Sequence, residues 1–259
     1  MNFRDKGVLV TGGARGIGRA IAQAFAERGA RVAIGYRENE AAAEATLAML
    51  AGGRNDGRNG GHVALRGDLS DAATARRVVD GAVEALGALD VLVNCAGIGL
   101  HHPLDDVDYE TWQDAWQRIL AVNLLAPANT SYVAARHMIV RGGGRIVNVG
   151  SRGAFRGEPE QPAYGASKAG LHAMSQSLAQ HLAPHGIAVG VVAPGFVETD
   201  MAKSRLQGPG GDAIRAQSPL GRVARPEEVA FAVLYLASEE AFFSTGAIVD
   251  VNGASYLRS

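Results

Sequence analysis

The chain is poor in cysteine and lysine and has no long apolar run. Cys95 is its single cysteine, so an intrachain disulfide is excluded, and this suits a reducing compartment. Lys6, Lys168 and Lys203 are its only lysines; all other cationic residues are arginines. No apolar run reaches the ~18 residues that a membrane-spanning helix requires, so a membrane partner is not expected.

Excess charge is also missing. The formal net charge is −1 and the arginines are spread along the chain, whereas nucleic-acid binding requires a concentrated basic face. With 259 residues, 47% hydrophobic and 20% charged, the chain is typical of a globular protein with one well-buried core. The charged N-terminus does not resemble a signal peptide, so a cytoplasmic location is the expectation.

Short apolar segments alternate with amphipathic segments along the whole chain. This alternation predicts an α/β fold with a doubly wound parallel sheet of about seven strands and helices on both faces, as a single domain over 1–259. The predicted strands are Val8–Val10, Arg31–Tyr36, Val63–Leu65, Leu89–Val93, Arg145–Val149, Ile187–Ala193 and Ala247–Val251. The predicted helices are Gly16–Arg28, Glu38–Leu50, Asp71–Leu86, Tyr109–Val140, Ala163–Ala183 and Pro226–Ala237.

Two connections are long. Gly52–Gly61 lacks periodicity and is predicted to be a surface loop. Gly195–Pro219 contains several glycines around a short helical piece and follows the sixth strand. This position places it at the carboxyl edge of the sheet, where ligands bind in such folds, so it is either a substrate lid or an ordinary flexible loop.

The first strand runs into a glycine-rich turn, Thr11-Gly12-Gly13-Ala14-Arg15-Gly16-Ile17-Gly18, and a helix follows. Glycine tolerates positive φ and lets a pyrophosphate approach the backbone N–H groups at a helix N-terminus. A tight turn alone would also use glycine. The placement between a strand and a helix, with another strand about 20 residues on, favours a dinucleotide site.

The end of the second strand bears on the choice of cofactor. An NAD enzyme usually has an acidic residue here for the ribose hydroxyl, whereas arginine attracts the 2′-phosphate of NADP(H). In this chain Tyr36 and Arg37 stand at that point, and Arg15 lies inside the glycine turn. The pattern favours NADP(H); alternatively, both arginines are solvated surface charges.

Two polar residues follow the next strands. Asp68, followed by Leu69, is a candidate acceptor for the adenine amine, or else Asp68 or Ser70 caps the next helix. Asn94 begins the segment Asn94-Cys95-Ala96-Gly97, whose small residues would let the backbone approach a cofactor. Asn94 could equally hold neighbouring strands together by backbone hydrogen bonds.

Tyr164 and Lys168 are four residues apart on a predicted helix and therefore share a face. A phenol with a pKa near 10 is a poor catalyst at neutral pH, but a neighbouring ammonium group favours the phenolate and lowers this pKa. The pair then serves as general acid for ketone reduction or general base for alcohol oxidation. Such a pair also occurs by chance on surface helices.

Two further residues are candidates for the same site. Ser151 precedes Tyr164 by 13 residues and follows the fifth strand, where its hydroxyl could bond the substrate oxygen. It could also be a simple cap. Asn123 lies mid-helix, where asparagine is unfavourable, so it either bends the helix and binds a water on a proton path to Lys168 or is a buried structural residue.

Taken together, these motifs resemble the short-chain dehydrogenase/reductase family over nearly the whole chain. The resemblance implies a Rossmann-type fold, an NADP(H)-dependent oxidoreductase acting on a small carbonyl or alcohol substrate, and a homo-oligomer, usually a tetramer. It implies the catalytic residues Asn123, Ser151, Tyr164 and Lys168. The implied cofactor-binding residues are Gly12, Arg15, Gly16, Ile17, Gly18, Tyr36, Arg37, Asp68, Leu69, Asn94, Ala96, Gly97, Tyr164, Lys168, Pro194, Gly195, Val197 and Thr199.

Within that family the segment from Pro194 to Met201 and Val251-Asn252-Gly253 resemble the 3-oxoacyl-[acyl-carrier-protein] reductases. The segment after Gly97 departs from their pattern, so reductases of sugars, steroids, cyclic ketones or secondary metabolites are alternatives. A non-catalytic NADP(H)-binding regulator on the same fold is the alternative from another class.

Other chemistries fit the sequence less well. The serines at 151 and 167 both miss the G-x-S-x-G pattern of a hydrolase nucleophile. His181 and His185 are separated by a proline, and His101-His102 form a loop cluster, so both pairs are interpreted as surface residues and no metal site is predicted.

Overall fold

The computed structural model describes residues 1–52 and 61–258. Its sheet has seven parallel strands in the order β3-β2-β1-β4-β5-β6-β7. The strands are β1 Gly7–Thr11, β2 Arg31–Tyr36, β3 Val63–Arg66, β4 Val91–Asn94, β5 Gly144–Val149, β6 Ile187–Pro194 and β7 Ile248–Val251. The predicted α/β class and the doubly wound parallel sheet are confirmed.

Ten α-helices are present in the described part of the chain. They are α1 Gly16–Ala26, α2 Glu40–Leu50, α3 Ala72–Leu86, α4 Tyr109–Leu120, α5 Ala126–Arg141, α6 Gly153–Arg156, α7 Pro162–Leu182, α8 Asp200–Gln207, α9 Gly211–Ala216 and α10 Pro226–Ala237. A π-helical turn, Ala121–Leu125, joins α4 to α5, and short 3₁₀ turns cover Ala183–His185 and Phe242–Ser244. No helix in residues 1–52 and 61–258 has the length and apolar character needed to cross a membrane.

Helices cover both faces of the sheet because its strands are apolar on both sides. On one face α1 and α10 pack together, with Phe25 and Val233 in the shared core. On the other face α3, α5 and α7 contribute Val79, Met138 and Leu182 to a second core. β1 lies between β2 and β4, and the strand order reverses there, so a crevice opens at the carboxyl ends of these strands.

Several predicted boundaries shift, for reasons visible in the caps. Helix α2 begins at Glu40 rather than Glu38, because the Asn39 side chain accepts a hydrogen bond from the Ala42 N–H. Helix α3 begins after Asp71, whose carboxylate accepts from the Thr74 N–H at 2.8 Å. The predicted caps Asp68 and Ser70 were therefore wrong.

The predicted helix over Tyr109–Val140 is helical throughout but changes its hydrogen-bond pattern at the π turn. Strand β4 begins two residues later than predicted. The long connection over Gly195–Pro219 contains two helices, α8 and α9, rather than one short piece. The predicted loop over Gly52–Gly61 lies, except for its two ends, outside the described residues.

Candidate active site

A cleft of about 370 Å³ runs along the carboxyl edge of the sheet, at the point where the strand order reverses. It extends from the end of β2, past β1 and β4, to the start of α7. Most of the predicted cofactor residues line it, together with Ser151, Tyr164 and Lys168. Asn94, Asn123 and Val197 are predicted site residues that do not line the cleft; all three are buried.

The glycine turn has the conformation that its composition predicts. Gly12 and Gly16 have φ of +66° and +52°, in the left-handed region that favours glycine. A Cβ on Gly12 would come within 2.9 Å of the Ala96 Cα, and a Cβ on Gly18 would collide with the carbonyl of Gly12. The backbone of the glycine turn can pack against Ala96, and against itself, only because Gly12 and Gly18 have no side chain. The N-terminus of α1 therefore stays open to the cleft.

The end of the cleft near β2 carries side chains of both positive and negative charge. Arg15, Tyr36 and Arg37 line it as predicted, but Glu38 and Asn39 line it as well. The Arg37 guanidinium lies 2.8 Å from the Glu38 carboxylate, and both side chains are exposed. The sequence argument that this end holds no carboxylate was wrong, since it stopped one residue short of Glu38.

Asp68 and Leu69 also line this end of the cleft. The Asp68 carboxylate accepts hydrogen bonds from the Ser70 hydroxyl at 2.7 Å and from the Ser70 N–H at 3.0 Å. These bonds lower the pKa of Asp68, with the hydroxyl bond the larger cause. Asp68 is thus an ionised acceptor at the cleft wall rather than a helix cap.

The floor of the cleft depends on the end of β4. The Thr11 hydroxyl accepts hydrogen bonds from the backbone N–H groups of Cys95 and Ala96, at 3.0 and 3.1 Å. Asn94 lies beneath this segment, and its side chain donates to the Asn148 side chain at 2.8 Å and accepts from the Thr130 hydroxyl at 2.7 Å. Asn94 is paired with Thr11 and Asn148 in the sheet, and its side chain adds hydrogen bonds to the backbone pairing suggested above.

Helix α7 brings the reactive candidates together. Lys168 is 5% exposed, and its Nζ donates to the Val149 carbonyl at 2.9 Å and lies 5.8 Å from the centre of the Tyr164 ring. Ser151 lies two residues after the end of β5, and its hydroxyl accepts a hydrogen bond from the Gly153 N–H at 3.0 Å. A Cβ on Gly97 would lie 3.6 Å from the Lys168 Nζ, so the small residue leaves room for the ammonium group.

Burial dominates the electrostatics of this group. It raises the pKa of Tyr164, whereas a hydrogen bond with Ser151 acts in the opposite direction. It lowers the pKa of Lys168 to about 8 and raises the pKa of Cys95 to about 12. The predicted lowering of the tyrosine pKa was wrong for these residues alone, because the loss of hydration of the phenolate outweighs the hydrogen bond with Ser151.

Asn123 lies in the π turn and is completely buried. Its amide group accepts from the Ile98 N–H and donates to the Ile98 carbonyl, both at 2.9 Å, and donates to the Ser167 hydroxyl at 3.2 Å. The side chain thus binds the segment after β4 to helix α7. This geometry favours the structural role that the sequence left open.

The segment after β6 forms the other wall. Pro194, Gly195 and Thr199 line the cleft, and a Cβ on Gly16 would lie 3.3 Å from the Thr199 methyl group. Val197 points away from the cleft: it is buried in the core, and its backbone pairs with Ala224 as a parallel bridge. Its predicted contact with a cofactor therefore concerns its backbone at most.

Sequence reasoning missed the burial of His102 beside the start of α7. His102, interpreted above as a surface residue, is completely buried. Its backbone N–H donates to the Glu160 carbonyl at 2.9 Å, and its ring accepts from the Ala163 N–H at 3.3 Å, next to Tyr164. The Trp112 side chain on α4 packs against the His102 ring. This contact buries His102, and no pattern in the sequence indicated it.

The cleft fits a dinucleotide. One end offers two guanidinium groups and the Asp68 acceptor, the middle offers the glycine turn at a helix N-terminus, and the far end offers the Tyr164 hydroxyl and the Lys168 ammonium group. Within residues 1–52 and 61–258, no three His, Cys, Asp or Glu side chains group as a metal site would require.

Comparison with known proteins gives the class. The family model described as enoyl-(acyl carrier protein) reductase matches residues 12–254. The 3-oxoacyl-[acyl-carrier-protein] reductase of Escherichia coli (strain K12) is 41% identical over 257 residues, covering 99% of this chain and 100% of that protein. This chain belongs to the short-chain dehydrogenase/reductase family.

Other relatives differ in their described activity. The D-threitol dehydrogenase of Mycolicibacterium smegmatis is 36% identical over 259 residues, with 99% of this chain and 96% of that protein covered. A solved structure gives a further comparison: the crystal structure of a short-chain dehydrogenase from Burkholderia cenocepacia J2315 in complex with NADP. Its chain is 37% identical in sequence to this one, the match covers 98% of this chain and 99% of that chain, and the TM-score is 0.87.

Proposed function

We propose that this protein uses NADP(H) to interconvert a ketone and a secondary alcohol, with a 3-oxoacyl thioester as the substrate. One observation carries the proposal: Ser151, Tyr164 and Lys168 lie at one end of a cleft whose other end presents Arg15 and Arg37. The family is one of oxidoreductases, and a related structure was solved in complex with NADP.

Tyr164 is the general acid for reduction and the general base for oxidation. The Ser151 hydroxyl orients the substrate oxygen. It also interacts with the Tyr164 hydroxyl, and this hydrogen bond partly offsets the increase that burial causes in the pKa of Tyr164. The bound nicotinamide supplies or accepts the hydride, chemistry that belongs to the cofactor. Lys168 contributes a buried positive charge that favours the phenolate and a donor for the nicotinamide ribose.

Asn123 acts in this proposal mainly by holding Ile98 and α7 in place, since its amide is bonded on both sides. A proton path from Lys168 through water at the π turn is part of the same proposal. The glycine turn holds the pyrophosphate, Ala96 and Gly97 allow close approach of the cofactor, and Asp68 with Leu69 contacts the adenine. Pro194, Gly195 and Thr199 line the nicotinamide carboxamide.

The phosphate of NADP(H) explains the arginines at the β2 end. The exposed Arg37–Glu38 pair is worth little in water, so Arg37 can exchange its partner for a 2′-phosphate. A guanidinium group binds phosphate oxygens in a bidentate manner, and Arg15 adds a second charge from the glycine turn. Glu38 opposes this preference, and its influence can be measured separately.

The thioester substrate comes from the relatives rather than from the pocket. A 3-oxoacyl-[acyl-carrier-protein] reductase and a D-threitol dehydrogenase share this chain's length and fold at 41% and 36% identity. Sugar alcohols are therefore the second candidate class. The regulator alternative lacks support, since the Tyr, Lys and Ser groups are all present and adjacent.

Oxidation of NADPH and NADH, measured side by side with acetoacetyl-CoA and the purified protein, tests the proposal. Turnover with NADPH at an ordinary enzyme efficiency would support both the thioester and the arginine argument. Absence of turnover, with oxidation of D-threitol instead, would overturn the thioester assignment. Absence of turnover with any carbonyl or alcohol in a broad panel would favour the regulator.

We also infer a homotetramer in the cytoplasm. Large apolar side chains are exposed on two separate surfaces, including Tyr132 and Val140 on α5 and Phe231 and Tyr235 on α10. Two self-complementary surfaces on one chain generate a tetramer with three two-fold axes. The single cysteine, Cys95, is a free thiol, which is consistent with a reducing compartment.

A further inference from the structure

Arg152 follows Ser151 and is 4% exposed, an unusual degree of burial for a guanidinium group. Its two terminal nitrogens donate to the Ser255 hydroxyl and to the Gln217 side-chain oxygen, and its charge lies 5.3 Å above the Phe196 ring. These partners are neutral. Gln217 follows α9, so the bond joins the residue after Ser151 to the connection between β6 and α10.

Arg156 ends α6, and its guanidinium donates to the same Gln217 oxygen at 3.3 Å. Two like charges thus converge on one neutral acceptor. Burial, and to a smaller extent the charge of Arg156, lowers the pKa of Arg152. Among the described residues, no carboxylate oxygen lies within 4.0 Å of either group. Buried charges are normally paired, because an unpaired one loses its hydration without compensation.

A third arginine extends the group towards the reacting atoms. Arg205 lies on α8. With the oxygen of the Gln161 side-chain amide turned towards Arg205, both terminal guanidinium nitrogens donate to that oxygen at 2.9 Å. Gln161 lies against Gly99, where a Cβ would be 3.9 Å from the Tyr164 ring. The Glu158 carboxylate interacts electrostatically with all three arginines, with Tyr164 and with a second carboxylate, Glu160. Three arginines against two carboxylates leave this group with a net positive charge.

We propose that Arg152 and Arg156 form an anion subsite that binds a carboxylate or phosphate group of the substrate. The Gln217 oxygen holds the position that an anion oxygen would take, and Arg205 adds attraction from α8. Gln217 and Arg156 are both exposed, so a ligand can replace the neutral acceptor without disrupting the core. The substrate class is then a ketone or secondary alcohol with an anionic group on its chain, which rests on the proposed oxidoreductase function.

Matched acid and ester substrates test the subsite. The rate of NADPH oxidation is measured with 4-oxopentanoate and 5-oxohexanoate and with their methyl esters, for the wild type, Arg156→Gln and Arg156→Lys. Arg4→Gln is the control, because Arg4 is exposed and precedes β1, at the amino ends of the strands and away from the cleft at their carboxyl ends. Arg156→Gln should lower kcat/KM for the acids by roughly tenfold more than for the esters, since a charged hydrogen bond is lost.

Arg156→Lys should restore part of the preference for the acids, and Arg4→Gln should leave it unchanged. Equal losses for acid and ester would overturn the proposal and make the arginine pair a latch that holds Gln217. Calorimetric titration of the NADP-loaded protein with glutarate gives a readout without turnover. Binding that Arg156→Gln weakens would support the subsite even if no carbonyl compound were reduced, whereas absence of binding together with equal kinetics would reject it.

Discussion

Lys168 is the residue at which burial and function conflict most directly. Its ammonium group is buried, with the Val149 carbonyl as acceptor, and its pKa falls from 10.5 to about 8. Between these values the unfolded chain binds more protons than the folded one, so the free energy of unfolding rises with pH. The charge that favours the phenolate therefore costs stability at neutral pH.

This conflict gives a prediction for Lys168→Met. The variant should unfold less readily than the wild type at pH 7, by about 3 kcal/mol at most, because the shift of the lysine pKa disappears. The difference should shrink as pH rises from 8 towards 10.5. Urea unfolding at several pH values measures it, and a difference that stays constant with pH would contradict the buried charge.

Arg37 and Glu38 control the choice of cofactor in opposite directions. Arg37→Asp should shift the preference towards NADH, since a carboxylate there repels a 2′-phosphate and can accept from the ribose hydroxyl. Glu38→Gln should raise the affinity for NADPH several-fold, because it removes a competing negative charge from the same end of the cleft.

Titration of NADPH and NADH into both variants measures these effects. Glu40→Gln serves as the control, because Glu40 is exposed on the first turn of α2 and does not line the cleft. An unchanged ratio of the two affinities in Arg37→Asp would show that Arg37 does not read the phosphate.

Among the elements, the π turn between α4 and α5 has the clearest task. It places the Asn123 amide against both backbone groups of Ile98. Asn123→Ala should lower the free energy of unfolding by about 1–3 kcal/mol, because the two half-buried backbone groups of Ile98 lose their hydrogen-bond partners. The same loss should lower kcat, since Ile98 lines the cleft.

Thermal unfolding and steady-state kinetics of Asn123→Ala measure the two effects together. Asn123→Asp, which keeps one acceptor for the Ile98 N–H, separates the contributions of the two bonds. An Asn123→Ala protein as stable as the wild type would contradict the structural role and favour a role in proton transfer alone.

The sequence predicted the elements well where one signal dominated. The strands around the cleft are continuous apolar segments, and the glycine turn has a composition that little else requires. Asn123 was singled out because it is unfavourable mid-helix, although its partners depend on Ile98, 25 residues away. His102 could not be interpreted correctly, since its burial arises from packing against Trp112 and the start of α7.

Electrostatics was harder to predict than position. The spacing of Tyr164 and Lys168 correctly placed both side chains at one site, but it suggested a lowered tyrosine pKa, whereas burial raises it. Desolvation depends on every atom around a group and has no local pattern in the sequence. Arg152 and Arg156 were missed for the same reason: among the described residues they have no carboxylate oxygen within 4.0 Å, and this cannot be read from the sequence.

At the scale of the whole molecule, the two exposed apolar surfaces predict assembly. Phe231 on α10 is 59% exposed, and burying such a side chain contributes about 1.5–3 kcal/mol. Phe231→Asp should therefore convert the proposed tetramer to dimers. Light scattering after size-exclusion chromatography gives the mass of the assembly. Glu44→Gln is the control, because Glu44 is an exposed residue of α2. A monomeric wild type would contradict the inference.

Tyr164 is the proposed proton donor in an NADP(H)-dependent reduction, and the variant Tyr164→Phe removes the hydroxyl group that would donate. Turnover of acetoacetyl-CoA and binding of NADPH, followed by its fluorescence, are measured on the wild type and the variant. We expect a loss of turnover of roughly 10²-fold or more with nearly unchanged NADPH binding. Turnover retained by the variant, with NADPH still bound, would show that Tyr164 does not transfer the proton.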